Sequence, residues 1–265
     1  ILVLQSNRRK IQLLQSRLDN IHQMQKMAVI EQRSQTKDLN EILSTPVYQR
    51  IKRYLADGQN MALSVLLRPD FLAPHNQFII SELVALSVAD ALRGFLPTDI
   101  GQKVTVKWPN DIYVADGKIC GILIENQLQG MKLAYSVCGI GINVNQERWL
   151  GNAPNPTSLR LVTGRSYDVE AVLDAVVARI LTRWEAFMAN APAQQEILHR
   201  RFCESLYRRD GLHPYVDAAT GEAFQARIAG VEPMGPLRLI TADGEERTYS
   251  FKEVKFVLPC GVVKE

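Results

Sequence analysis

The stretch Gly139-Ile140-Gly141-Ile142-Asn143-Val144-Asn145 narrows most sharply what this chain can fold into. Its period of two, glycine against isoleucine, is that of a strand whose two faces differ. Glycine inside a strand costs stability, because it loses the most conformational freedom on folding and packs no side chain. Two glycines on one face therefore need a reason. Two are open: a flat ligand lying against bare backbone, or a helix packed closely on the strand. A dinucleotide fingerprint is not among them, since the Gly-x-Gly-x-x-Gly spacing is missing and no helix pattern follows.

Upstream, Lys107-Trp108-Pro109-Asn110-Asp111 places a lysine, an amide and a carboxylate around a proline-fixed turn between two short β-type runs, 104–108 and 111–114. Such a lysine can neutralise phosphate, and Asn110 and Asp111 can offer oxygens to magnesium or hydrogen bonds to a nucleotide. From spacing alone an ordinary hairpin corner is equally open, with Asp111 capping the turn and Trp108 in the core. Ala115-Asp116-Gly117 predicts a tight turn, and a return strand over 119–125 follows it. Lys118 stands at that strand's entrance. Gly121 removes a side chain where another group can approach.

Around these runs, apolar residues at Ile11, Leu14, Leu18, Ile21 and Met24 have helical spacing, and Ala28-Val29-Ile30 reads as a short strand. Ser44-Thr45-Pro46 predicts a helix start, with Val47, Ile51 and Leu55 on its stripe and Asp57-Gly58 as its stop. Strands are expected over 61–67 and 133–145, and helices over 78–95, 169–190 and 194–207. From Gly211 onward short β-type runs alternate with Gly and Asp turns such as Thr220-Gly221 and Asp243-Gly244, the pattern of a small β-barrel. The expected organisation is a domain over 1–208 and a companion over 209–265.

Composition serves mainly to exclude. A charged fraction of 22% with net charge +3 is too mild to demand nucleic acid as a partner. The apolar runs fall short of the ~20 residues that a membrane helix needs. Arg8, Arg9 and Lys10 follow the apolar start, the reverse of a secretory signal's charge order, so a soluble cytoplasmic protein is expected. Cys120, Cys138, Cys203 and Cys260 form no Cys-x-x-Cys pair and are read as small core residues. The scattered His22, His75, His199 and His213 suggest no histidine-rich metal site.

Taken in order, Lys-Trp-Pro-Asn-Asp, Lys-x-x-Gly-Ile-Leu-Ile-Glu, Gly-Ile-Gly-Ile-Asn-Val-Asn and Thr157-Ser158-Leu159 make the chain resemble the biotin–protein ligase family over residues 58–258. The resemblance implies an α+β fold: a mixed β-sheet flanked by helices, followed by a small SH3-like β-barrel. It implies a ligase that activates biotin with ATP and magnesium to biotinyl-5′-AMP, then transfers it to a lysine of a biotin carboxyl carrier protein. On that basis Lys118 is the catalytic cation, beside the biotin carboxylate and the adenylate phosphate. Gly121, Gly139 and Gly141 form the floor under biotin, and Gln35 is a further biotin contact. Lys107, Asn110, Asp111 and Asn143 serve ATP and magnesium, with no permanent protein-bound metal.

The N-terminal part departs from the family. Gln5-Ser6-Asn7 stands where members carry Ser-Thr-Asn, and Gln35-Thr36 is followed by a glycine-free stretch over 37–57 in place of a Gly-Arg-Gly loop. Arg50, Lys52 and Arg53 are candidates for a cationic clamp in another form. A non-catalytic biotin- or carrier-binding relative that has lost the phosphate loop is the alternative function, and a lipoate ligase the alternative enzyme. Residues 1–27 leave no room for a separate DNA-binding domain, so no specific nucleic acid is expected as a partner. Homodimerisation is left open.

Overall fold

The computed structural model describes residues 48–54, 59–149 and 155–259. The expected helix over 8–27, the strand at Ala28-Val29-Ile30, and Gln35 and Cys260 lie outside the described residues. The described residues belong to one compact unit, and it holds two sheets.

β2 (Asn60–Leu67) alternates half-buried and buried residues along its whole length, as a strand does when one face meets a core and the other does not. Met61, Leu63, Val65 and Leu67 are at most 1% exposed. β6 (Lys132–Asn143) pairs with β2 in register, Met61 opposite Ile142 and Leu63 opposite Ile140. The isoleucines of the Gly-Ile-Gly-Ile run thus share the buried face. With β1 (Tyr48–Tyr54), β3 (Val104–Lys107), β4 (Asp111–Val114) and β5 (Gly117–Gln129) they form a six-stranded sheet in the order β1-β2-β6-β5-β4-β3. Every ladder in it is antiparallel. The parallel part of the expected mixed sheet is confined to single bridges, Val106 to Leu206 and Lys118 to Pro156.

β1 corrects the expectation of a helix beginning at Ser44-Thr45-Pro46. Val47, Ile51 and Leu55 have helical spacing, yet residues 48–54 are extended and pair with β2 from Tyr48–Leu67 to Tyr54–Ala62. The stretch carries Tyr48, Ile51 and Tyr54, residue types that suit strands, and pairing satisfies the backbone groups of β2's otherwise unpaired edge. Local spacing loses to that tertiary gain.

Three helices cover the buried face. α1 (Phe78–Arg93) is buried almost all round, from Ile79 and Ile80 to Ala91 and Leu92, as expected of a helix enclosed on every side. α2 (Thr98–Gly101) and α3 (Leu159–Thr163) are short. α4 (Val169–Ala189) starts where Asp168 accepts a hydrogen bond from the Glu170 amide, and its stripe Val172, Val176, Ile180, Trp184 and Phe187 packs against α1 and β2. Each such side chain taken fully out of water is worth roughly 1.5–3 kcal/mol. α5 (Ala191–Glu204) begins three residues before the expected start, because Asn190 caps it and Pro192 sits in its first turn. Asp90 on α1 accepts from Arg93, Arg183 and Arg201 and ties the three helices together. Among the described residues no helix is long and apolar enough to cross a membrane.

The second sheet comprises β7 (His213–Asp217), β8 (Ala223–Val231), β9 (Leu237–Thr241), β10 (Glu246–Tyr249) and β11 (Val254–Phe256), in the order β10-β9-β8-β7-β11. These are the short runs that the Gly and Asp turns announce, plus β7. No ladder joins β10 to β11 among the described residues. Trp108 links the sheets: it is 3% exposed, and its Nε1 donates to the Gly235 carbonyl at 2.8 Å. Gly235 has φ +111, and a Cβ there would stand 2.7 Å from Phe78 Cδ2, so only glycine fits.

Candidate active site

Strand register assembles the site. Across the first sheet Lys107 stands opposite Asp111, Asp111 opposite Gly121, Gly121 opposite Gly141, and Gly141 opposite Ala62. Residues in one such row project to the same side of the sheet. The next row on that side runs Leu123, Gly139, Ser64. The result is a floor of small residues with a lysine and a carboxylate at one end. The helices lie on the opposite face, under the isoleucines. Gly141 is exposed, and a Cβ added to it would meet nothing within 4 Å. The glycines therefore do not make room for a helix, which corrects the second of the two reasons that the sequence left open.

Lys118 reaches this face through an irregularity. Ile112 pairs with Cys120 and Tyr113 with Lys118, so β5 carries one extra residue, Ile119, against β4. Strict alternation would turn Lys118 away from Gly121. The bulge turns it back, as bulges beside functional sites do. Its Nζ lies 2.7 Å from Asp111 Oδ2 and 3.5 Å from where a Gly121 Cβ would be. Both side chains keep solvent contact, at 36% and 23% exposure.

Lys107 is drier. Its Nζ sits 4.5 Å from the centre of the Phe256 ring. Burial pushes its pKa down, and so do Lys118 and Arg208, against the pull of Asp111. Arg208 follows α5 with a left-handed backbone, φ +58, donates to the Val257 carbonyl at 2.8 Å and stacks over Tyr207. Two lysines thus flank one carboxylate with Arg208 acting on Lys107 from nearby, and the corner carries a positive potential suited to carboxylate and phosphate oxygens. Sequence reasoning missed Arg208. Nothing in local spacing marks it, because the turn after α5 and β11 bring it to the site.

The remaining candidates are struts. Asn110 Nδ2 donates to the Ile122 carbonyl at 2.5 Å and holds the turn against β5. Asn143 Nδ2 donates to the Thr157 carbonyl at 2.9 Å. Segment 155–157 also pairs with Lys118 itself: the Lys118 amide donates to Asn155, and the Thr157 amide to the Lys118 carbonyl. Gly117 lets this segment lie close, since a Cβ there would stand 2.7 Å from Thr157 Cγ2. Lys107, Asp111, Lys118, Gly121 and Gly141 thus come together directly, Gly139 one row away, and Asn110 and Asn143 as supports of the frame.

Past Asn143, Asn145 exchanges two hydrogen bonds with the Tyr167 backbone, at 2.8 and 2.9 Å. A cavity of about 370 Å³ opens there, lined by Gln59, Asn145, Glu147, Arg148 and Arg160, a polar recess the sequence did not announce. Among the described residues no three His, Cys, Asp or Glu side chains converge on a metal position.

A family model for the biotin/lipoate A/B protein ligase family matches residues 49–143, the span that holds all the directly assembled residues. The bifunctional ligase/repressor BirA of Bacillus spizizenii is 26% identical over 199 residues, covering 73% of this chain and 58% of that protein. The biotin–[acetyl-CoA-carboxylase] ligase of Paracoccus denitrificans is 31% identical over 144 residues, covering 52% of this chain and 58% of that one. The match thus spans little more than half the length of either relative. In fold, the biotin protein ligase of Aquifex aeolicus in complex with biotin and ATP superposes with a TM-score of 0.59 at 23% identity, over 78% of this chain and 82% of that chain. Motif and fold agree: over residues 49–143 the chain matches the biotin/lipoate A/B protein ligase family, and in fold it is similar to a biotin protein ligase.

Proposed function

We propose that the chain activates biotin with ATP to biotinyl-5′-AMP and transfers the biotinyl group to a lysine of a biotin carboxyl carrier protein. One observation carries this reading: the bulge in β5 swings Lys118 over the glycine floor and against Asp111. A flat ring system fits bare backbone. A carboxylate at its end meets the cations.

In the first step a biotin carboxylate oxygen bonds to the α-phosphorus of ATP while the bond to pyrophosphate breaks. Two anions must approach, and Lys118 offsets their repulsion and the charge that grows on the phosphate, an effect worth about 3 kcal/mol. Asp111 fixes the ammonium's position. Lys107 and Arg208 add positive potential for the phosphates. In the second step the carrier's amine attacks the acyl carbon, and AMP leaves. Magnesium would be brought by the triphosphate and would neutralise phosphate charge; Asp111, already shared with Lys118, would offer it one carboxylate and not a full ligand set. Asn110 and Asn143 act here by keeping the frame in register, and the second sheet, β7 to β11, closes the phosphate end through Phe256 and the backbone of Val257 just past it.

The test is to supply the purified chain with ATP, magnesium and a carrier domain, and to compare biotin with lipoate as substrate. Mass spectrometry should find the biotinyl group on one carrier lysine, and lipoate should serve poorly. Preferential lipoylation would reassign the chain within its family.

A further inference from the structure

Cys203 lies one helical turn after His199 on α5, and its Sγ is 3.9 Å from His199 Nε2. The other ring nitrogen, Nδ1, is 2.6 Å from Glu82 Oε1 on α1. Glu82 is 1% exposed, and its Oε2 has no hydrogen-bond partner among the described residues. A carboxylate so deep in a helix core needs a cation, and the imidazole is placed to be one. Contact with Cys203 and with Glu82 pushes the His199 pKa up to about 10. The thiol thus faces an imidazole whose other nitrogen is held by a buried acid, an order of groups that assists a nucleophilic thiol. None of the three residues belongs to the site described above.

The sulfur has access. A cavity of about 310 Å³ lies between α5 and the second sheet, with His199 and Cys203 on one side and the segment Ile228, Ala229 and Gly230 on the other. The charged groups on its lining are Arg200, Glu204 and Arg209, so cations outnumber the carboxylate and an anionic visitor is favoured. Cys120 and Cys138 differ: both are buried, and burial pushes their thiols up, Cys138 to about 12.

We propose that Cys203 is a nucleophilic thiol, assisted by His199 and Glu82, and that it accepts small anionic disulfides from this cavity as mixed disulfides. The thiolate attacks one sulfur of the disulfide. A new bond to Sγ forms as the old sulfur–sulfur bond breaks, and the leaving thiolate carries away the electron pair and takes a proton from water. The protein thiol is oxidised and half of the reagent is reduced. Such a modification sits close to the catalytic frame. Two residues further on, Ser205 accepts from the Val106 amide and Tyr207 donates to the Val106 carbonyl, and Val106 precedes Lys107.

The test uses the full chain carrying Cys260→Ser. Its thiol reactivity is followed from pH 5 to 9 with the dianion 5,5′-dithiobis(2-nitrobenzoate) and with an uncharged dipyridyl disulfide. The expected result is one fast label, placed on Cys203 by peptide mass spectrometry and absent in Cys203→Ser. Its rate should have a midpoint well below the ~8.5 of an ordinary thiol and should favour the dianion. His199→Gln should slow it about tenfold at pH 7. That variant strands Glu82 in the core, so where it does not fold the profile of the unchanged His199 protein decides. A midpoint at or above ~8.5, or fast labelling elsewhere, overturns the proposal.

Discussion

Gly141→Val separates two roles that a glycine in a strand can have. A Cβ at this position would meet no atom within 4 Å, and the cross-strand neighbours are Gly121 and Ala62, so the new methyl groups stand over small residues on an open face. The strand itself gains. Removing glycine from a strand interior recovers roughly 0.5–1 kcal/mol, and a β-branched residue suits the pleat. Binding loses, because the side chain raises the floor on which the biotin rings are proposed to lie. A forced misfit of that kind costs about 1–3 kcal/mol, or roughly 5- to 150-fold in affinity at 1.4 kcal/mol per tenfold. Urea melts and calorimetric titration with biotin read the two effects independently. The expected variant is at least as stable as the parent and binds biotin weakly or not at all. A folded Gly141→Val chain that binds biotin as tightly as the parent would refute the floor. A loss of stability above about 1 kcal/mol would show that the face is not open.

Three further outcomes follow from the same geometry. Lys118→Ala should cost no more than about 1 kcal/mol in a melt, because the pair with Asp111 is solvent-screened, yet lower adenylate formation about a hundredfold, read by single-turnover kinetics. Gly117→Ala should destabilise the fold by about 1–3 kcal/mol, since its Cβ meets Thr157 at 2.7 Å, and differential scanning calorimetry reads this. Asp90 provides a pH test. Burial raises its pKa, but Arg183 and Arg201 outweigh it, and the folded pKa lies below the ordinary value. Its stabilising contribution is therefore present above ~pH 4 and lost as pH falls through the folded pKa. Denaturation of Asp90→Asn should accordingly show a flatter stability curve below ~pH 4 than the parent.

Much of this was legible in the residues because it depends on strand alternation. Once the Gly-Ile-Gly-Ile run is a strand, both glycines must share a face, and the motif with Asp111 falls on the neighbouring strands. Alternation could not say whether that face was open; the position of α1 and α4 decides it. Nor could it place Lys118, since strict period two turns that side chain away and a single extra residue at Ile119 restores it. The helix expected at Ser44-Thr45-Pro46 failed for another reason. Capping and spacing are local, and the pairing of β1 along β2 is not. Arg208 was invisible for the same cause: its backbone is left-handed and its hydrogen-bond partner, Val257, lies just past β11, some fifty residues downstream by number. Asn110 and Asn143 were legible as polar groups at the site, but their hydrogen bonds run to backbone carbonyls.

Lys118, brought over the glycine floor, is proposed to assist attack of biotin on ATP. Biotin-dependent exchange of labelled pyrophosphate into ATP, with purified chain and magnesium, measures that step directly and requires no carrier protein. The expected exchange depends on biotin, falls about a hundredfold in Lys118→Ala and is suppressed in Gly141→Val. Folded chain that binds biotin but shows no exchange would contradict that role and make the chain a biotin-binding protein without ligase activity.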